Sequence, residues 1–158
     1  MKEIITDEQI IATFSKKYPE QRFTKFNLFD LIHAVGSPLD ALLYAKLFWP
    51  DFVEFEEMVF FKNHVEDEGD RDRVRKALTT GKLTKCEVEK QFNLVEIPYL
   101  FGSKIGESDD NLDVSLSRFL TLTWESKLKM QFPSRNIIVE LDTPEEDVPS
   151  ITVYQKPH

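Results

Sequence analysis

The stretch Ser37–Lys62, SPLDALLYAKLFWPDFVEFEEMVFFK, is the densest apolar block of the chain, and it decides the fold. Ser37 before Pro38 predicts a helix start, because a Ser hydroxyl accepts from a free backbone N–H and Pro needs no hydrogen-bond partner at the first helical position. Leucine, alanine and aromatic residues then cover nearly every side of the helix, up to Pro50. This pattern predicts a helix buried in the middle of the domain.

The end of the same stretch, Glu57–Lys62, predicts a strand with two apolar faces. Val59 and Phe61 point one way, and Met58 and Phe60 point the other. Strands that are apolar on both faces are typical of sheet interiors, so we expect this strand to lie inside a sheet. Burial of each large side chain stabilises the fold by about 1.5–3 kcal/mol.

Apolar spacing and capping signals, among them the capping boxes Thr6 with Gln9 and Thr84 with Glu87, predict further helices on both sides of this block. They cover residues 7–17, 25–34, 66–79, 84–92 and 111–131, whereas residues 94–110 read as a long surface loop with a buried patch at 99–101. The longest helix carries an apolar row at every fourth position, which should lie across the sheet. The row consists of Leu112, Leu116, Leu120, Trp124 and Leu128.

The C-terminal region predicts the other two strands. Residues alternate between apolar and polar over Asn136–Leu141 and Ser150–Gln155, which should pair as an antiparallel hairpin. Together with Glu57–Lys62 they would form one small sheet. The predicted fold is therefore a single α+β domain over residues 1–158, with five or six helices on a mainly antiparallel sheet of three or more strands.

From Phe119 onward, the sequence FLTLTWESKLKMQFPSRNIIVELDTPEEDVPSITVYQ resembles small bacterial proteins of unknown function. The shared order is helix, Phe-Pro, strand, acidic turn and strand. Trp124, Phe132-Pro133, Val139 and Tyr154 carry this resemblance, and all are packing residues. The resemblance covers about the last quarter of the chain and implies a bacterial source but no activity.

The amino-acid composition argues against several classes of function. The 158 residues include a single cysteine, Cys86, so an intrachain disulfide is impossible and a reducing compartment is favoured. The sequence shows neither a signal peptide nor a run of about 18 apolar residues, which predicts a cytoplasmic protein without a membrane span. The net charge of −8 argues against nucleic acid and anionic membranes and suits a basic protein partner.

An enzyme is one alternative. His64 precedes an acidic run, and His33 lies in a predicted helix, so either could work with carboxylates in a hydrolase or metal-dependent enzyme. The spacing matches neither zinc nor calcium motifs, and the acids of the run suit the start of a helix. Cys86 falls in the first turn of a short helix, where a thiolate is favoured, but no His motif accompanies it. We therefore expect no catalytic residues, metal or cofactor.

Nucleic-acid binding is the second alternative. Residues 71–85 carry six basic residues and one acid, and two predicted helices flank Gly81 as in a helix-turn-helix. The second helix fits poorly, because Glu87 and Lys90 occupy positions that should face inward. The remainder of the chain is strongly acidic and would repel phosphate.

Two acidic strips, Glu107 to Asp113 and Glu140 to Asp147, favour protein binding. If they meet in space, they form a negative face that could steer a basic protein. The prediction is a non-catalytic protein-binding domain, and an immunity or antitoxin-like protein would have this character. The predicted partner-binding residues are Asp109, Asp110, Asp113, Asp142, Glu145, Glu146 and Asp147.

Overall fold

The computed structural model describes residues 5–19, 23–107, 110–144 and 148–157. This part of the chain contains six α-helices: α1 (Asp7–Lys17), α2 (Leu28–Val35), α3 (Pro38–Phe48), α4 (Glu68–Thr79), α5 (Lys85–Phe92) and α6 (Asp110–Gln131). Its strands are β1 (Phe52–Phe55), β2 (Met58–Phe61), β3 (Val95–Glu96), β4 (Ile137–Asp142) and β5 (Ser150–Gln155). Short 3-10 helices cover Phe23–Lys25 and Lys62–His64, and a longer 3-10 segment covers Ile97–Glu107. The predicted α+β class is confirmed.

The strands form two antiparallel sheets. β1 and β2 make a hairpin in which Phe52 lies opposite Phe61. β5 lies between β3 and β4 in the second sheet, with Leu141 of β4 opposite Ile151 of β5. The predicted hairpin of the last two strands is confirmed. The prediction that Glu57–Lys62 joins the same sheet is wrong, because β2 is hydrogen-bonded to β1 and not to a strand of the second sheet.

Two side chains explain this difference, one on α5 and one at its C-terminal cap, because they lie between β2 and β5. The carboxylate of Glu89 accepts from the backbone N–H of Val59 and of Gln155, each at 2.7 Å. The amide of Asn93 donates to the carbonyl oxygens of Val59 at 2.7 Å and Val153 at 2.9 Å. These side chains satisfy backbone groups that a neighbouring strand would otherwise pair. β2 is thus buried along its whole length, as predicted, without lying inside a sheet.

The core lies on both sides of β2. Val59 and Phe61 belong to a cluster with the buried row of α6, whose members are Leu120, Trp124 and Leu128. Met58 and Phe60 face the other way and pack with Val65, Val74 and Val88. The predicted alternation of β2 and the predicted apolar row of α6 are therefore both confirmed.

Helix α3 differs most from the sequence prediction, because none of its residues is buried. It contacts the core through its C-terminal end, where Leu47 and Phe48 pack against the cluster around α6. The indole N–H of Trp124 donates to the carbonyl oxygen of Leu47 at 2.8 Å and holds this end in place. The core beneath α6 is filled by side chains of the strands, so α3 lies on the surface.

The prediction of a surface loop over residues 94–110 is also wrong for those of its residues that the structure describes. Residues 95–96 form β3, and the 3-10 segment Ile97–Glu107 follows. Ile97 and Pro98 are buried, whereas Tyr99 and Leu100 of the predicted buried patch are exposed. The backbone N–H of Ile97 donates to the carbonyl oxygen of Pro149 at 2.9 Å, which ties the segment to the entry of β5.

Candidate interaction surface

The two adjoining helices α2 and α3 expose a set of large apolar side chains, which we call the α2–α3 face. Its members are Phe29, Ile32, Val35, Leu39, Leu42 and Leu43. The side chain of Phe29 is 82% exposed, and those of Leu39 and Leu42 are 76% and 68% exposed. Soluble monomers rarely expose contiguous apolar patches beyond a few hundred Å², and larger patches mark interaction sites.

Local capping bonds fix where each of the two helices begins. Asn27 and Asp30 form a capping box in which each side chain accepts from the backbone N–H of the other at 3.0 Å. Ser37 caps α3 through its hydroxyl oxygen, which accepts from the backbone N–H of Asp40 at 3.1 Å. These bonds satisfy N–H groups that a helix start leaves free. The apolar residues of both helices are therefore held on regular helical surfaces.

The turn between the helices depends on Gly36. Its backbone N–H donates to the carbonyl oxygen of Ile32 at 2.8 Å. A Cβ at position 36 would lie 2.5 Å from that same oxygen, so the close approach requires glycine. The chain direction changes by 118° between α2 and α3, and the sharp turn keeps the two apolar helices adjacent.

The other sides of these helices anchor them to the domain. Leu31 of α2 is buried. The ring of Tyr44 on α3 lies 6.4 Å from that of Phe101, and Lys127 of α6 lies over the ring of Trp49 at 5.6 Å. The apolar side chains of the α2–α3 face are therefore presented by anchored helices rather than by a loose segment.

The α2–α3 face carries little net charge. Lys46 follows Leu39, Leu42 and Leu43 along one side of α3, and its ammonium lies 3.4 Å from the carboxylate of Asp51. The carboxylate of Asp40 accepts from the hydroxyl of Ser37 at 2.7 Å. An almost neutral apolar surface gains free energy mainly by removal from water, not by charge attraction.

A groove of about 610 Å³ adjoins α3, bounded by α1, the 3-10 segment Ile97–Glu107 and α6. Its walls are mostly apolar and include Phe48, Leu116 and Phe119. Ser115 accepts from the backbone N–H of Ile5 at 3.3 Å. Asp113, one of the predicted partner-binding residues, also lines this groove and is only 8% exposed. It is therefore nearly buried, and its role in partner binding stays a prediction.

The other predicted acidic residues are only partly described. Asp142 ends β4 opposite Ser150 and is exposed. Asp110 begins α6, but its side chain lies outside the described part of the structure. The other members of the set fall on residues that the structure does not describe, namely Asp109, Glu145, Glu146 and Asp147. For all six of these residues the acidic binding surface stays a prediction.

Glu140, which begins the second acidic strip, is already paired. Lys90 of α5 approaches its carboxylate at 3.3 Å and lies 4.1 Å above the ring of Tyr154. Burial raises the pKa of the Tyr154 hydroxyl, and the hydrogen bond and negative charge of Glu140 raise it further. This part of the strip is therefore compensated within the chain.

The basic segment 71–85 is largely engaged with acids and an aromatic ring. The guanidinium of Arg75 contacts the carboxylates of Glu68 at 2.6 Å and Asp72 at 2.8 Å, which raise its pKa above the ordinary value. Arg75 and Arg71 also lie over the ring of Phe55. Charges that are paired within the chain contribute less to phosphate binding.

The residues of the enzyme alternative are far from a reactive arrangement. His33 is exposed on the last turn of α2, and Cys86 is partly buried in the first turn of α5. Nδ1 of His64 lies 2.6 Å from the carbonyl oxygen of Phe92, and its ring packs edge-on against Phe61. The described residues contain no group of three or more His, Cys, Asp or Glu side chains that could hold a metal.

Comparison with known proteins found no matching family model, curated protein or solved structure. The resemblance of the C-terminal quarter to small bacterial proteins therefore stays a prediction. Over the described residues, no single helix has the length and apolar character to cross a membrane, although α2 and α3 pass that test as a bent pair.

Sequence reasoning missed the α2–α3 face, although its signal is present. Helix α3 is apolar on nearly all sides, and such a helix either lies in a core or forms an interaction surface. We predicted the core. The choice depends on which elements occupy the space next to α6, and the spacing of residues within α3 does not contain that information.

Proposed function

We propose that this protein is a non-catalytic protein-binding domain and that its binding surface is the α2–α3 face. The observation that carries this proposal is the exposure of Phe29, Leu39 and Leu42, each more than two-thirds exposed on an otherwise well-packed domain. Removal of large apolar side chains from water is the dominant favourable contribution to most protein–protein association.

The polar interior supports the same proposal. Within the described residues, no buried side-chain nitrogen or oxygen lacks a hydrogen-bond partner. The buried Glu89 and Asn93 hold strands together, so their polar groups are engaged in the fold. Among the described residues, the large exposed apolar side chains of α2 and α3 are a feature that the fold does not use.

A photo-crosslinking experiment tests the proposal. A benzophenone amino acid is placed at Leu42 and, as a matched control, at Leu122 of α6, which is 54% exposed. In cells that produce the protein, we expect a discrete crosslinked product from position 42 and none from position 122. In a cell lysate, the yield of this crosslink should not fall when salt is added before irradiation, because apolar contacts are not screened as charge pairs are. Identical patterns from both positions would contradict the proposal.

A further inference from the structure

We infer that the partner of the α2–α3 face is a second copy of this chain, joined about a two-fold axis that passes close to Leu42 and Leu43. This inference rests on the proposed function and specifies the partner. In such an isologous contact, the same surface is buried on both subunits.

The area of the face fits a symmetric dimer. Scaled by their exposed fractions, the six side chains expose roughly 700 Å² in total over the two helices, so burial of all six would approach the ~800 Å² that each partner contributes to a standard interface. Two copies would together bury an area in the range of stable, specific complexes. Nonspecific contacts are mostly about half that size or smaller.

The spacing along α3 is self-complementary. Leu39, Leu42, Leu43 and Lys46 follow one another at i, i+3, i+4 and i+7, which places them on one side of the helix. When two such helices pack antiparallel, the central leucines of one face those of the other. Lys46 of one copy then lies beside Leu39 of the other, where its aliphatic stem can cover apolar surface.

The charges on and beside the face favour a copy of this chain over a membrane surface or a basic protein. Lys46 is compensated by Asp51, so two copies bring no strong like-charge pair to the centre of the contact. Helices that bind membrane surfaces are rich in Lys and Arg on their polar side, whereas Asp30 and Asp40 occupy the first turns here. A basic partner would need acidic anchors, which this apolar face does not supply.

The first test measures the mass of the purified full-length protein by sedimentation equilibrium across the micromolar range. The expected mass is twice 18.5 kDa. Leu42→Glu should weaken dimerisation about 1,000-fold, because the axis places two copies of the substitution in the interface. Leu122→Glu, on the side of α6 opposite its buried row, should leave the dimer unchanged. Circular dichroism confirms that each variant is folded, as the exposure of both positions leads us to expect.

The second test checks the position of the axis. Leu43→Cys in a Cys86→Ser background should form an intermolecular disulfide under mild oxidation, because the two-fold axis brings both copies of residue 43 together. Leu122→Cys in the same background is the matched control and should remain monomeric. A disulfide that forms equally at both positions would overturn the inferred axis.

The results separate this inference from the proposed function. A purified protein that remains monomeric throughout, or a dimer that survives Leu42→Glu, overturns the inference. If the Leu42 photo-crosslink then contains a different protein, the proposed function stands and only the identity of the partner is wrong. If position 42 gives no crosslink above the position 122 control, both are wrong.

Discussion

Glu89 on α5 and Asn93, which caps the C-terminal end of that helix, together join the two β-sheets of the protein. Glu89 accepts from Val59 in the first sheet and Gln155 in the second, and Asn93 donates to Val59 and Val153 in the same way. Both side chains are fully buried. Buried polar groups stabilise a fold only when their hydrogen bonds are satisfied, so this bridge should be sensitive to small chemical changes.

The first prediction concerns Glu89→Gln, which keeps the shape of the side chain. Both carboxylate oxygens of Glu89 face N–H donors: Oε1 accepts from Val59 and from the side chain of Gln155, and Oε2 accepts from the backbone of Gln155. An amide must turn its own N–H₂ toward one of these donors. We expect the free energy of unfolding in urea to fall by about 2–4 kcal/mol.

The control for this prediction is Glu96→Gln on β3, where the side chain is exposed. That change should alter the free energy of unfolding by less than about 0.5 kcal/mol. Equal and small effects of both substitutions would show that the carboxylate of Glu89 is not required between the sheets.

The second prediction concerns Asn93→Asp. The side-chain N–H₂ of Asn93 donates to two backbone carbonyl oxygens, and a carboxylate at this position would face both without a donor. We expect the variant to lose about 3 kcal/mol of stability near neutral pH, where the carboxylate resists burial. The exposed Asn63→Asp is the control and should have little effect. A variant with the stability of this control would contradict the assigned role of Asn93.

The third prediction concerns the turn between β1 and β2. Glu56 and Glu57 have φ angles of 52° and 65°, in the left-handed region that glycine adopts without steric cost. Glu57→Gly relieves this strain but removes an exposed ion pair with Lys85, which contributes little in water. Glu57→Ala removes the same ion pair and keeps a Cβ. We expect the glycine variant to be about 1 kcal/mol more stable than the alanine variant, measured by urea denaturation.

The alanine variant also serves as the control, because the two proteins differ only in the Cβ at residue 57, whose strain in the left-handed region is expected to exceed its effect on the entropy of the unfolded chain. Arg135 and Gln155 donate to the backbone carbonyl of residue 57, and that oxygen is present in both variants. Equal stability of the two variants would show that the turn relaxes around a Cβ at no cost.

The fourth prediction concerns alkaline pH. Burial raises the pKa of Tyr154, and its contact with Glu140 adds to the increase. For Lys90, burial lowers the pKa, but the hydrogen bond and charge of Glu140 outweigh this effect and the net pKa is raised. Both groups hold their protons more tightly when folded. Their contribution to stability is therefore present below about pH 10 and is lost as the pH rises through the folded pKa values.

Urea denaturation between neutral pH and pH 11 checks this prediction. We expect stability to fall above about pH 10, and to fall less steeply in Tyr154→Phe, which removes one of the two groups. Tyr99→Phe, at an exposed tyrosine, should follow the wild-type profile. A Tyr154→Phe profile that also matches the wild type would show that Tyr154 does not contribute to the alkaline loss.

Elements that depend on close neighbours in sequence were predicted well. The capping boxes of α1 and α5 follow from Thr6 with Gln9 and Thr84 with Glu87, and the structure contains both. The apolar row of α6 predicted its length and its buried side. The candidate binding surface was not predicted, because the α2–α3 face was assigned to the core, whereas its large apolar side chains are exposed.

The sequence by itself determined the helices, the alternation of β2 and the final hairpin, because capping bonds and side-chain periodicity act over a few residues. Only the tertiary structure decided that Glu89 and Asn93 separate β2 from β5 and that α3 lies outside the core. Both outcomes arise because elements that are far apart in the chain compete for the limited space around α6 and β2. A helix that is apolar on every side can be buried or exposed, and the packing of the remaining chain selects between the two.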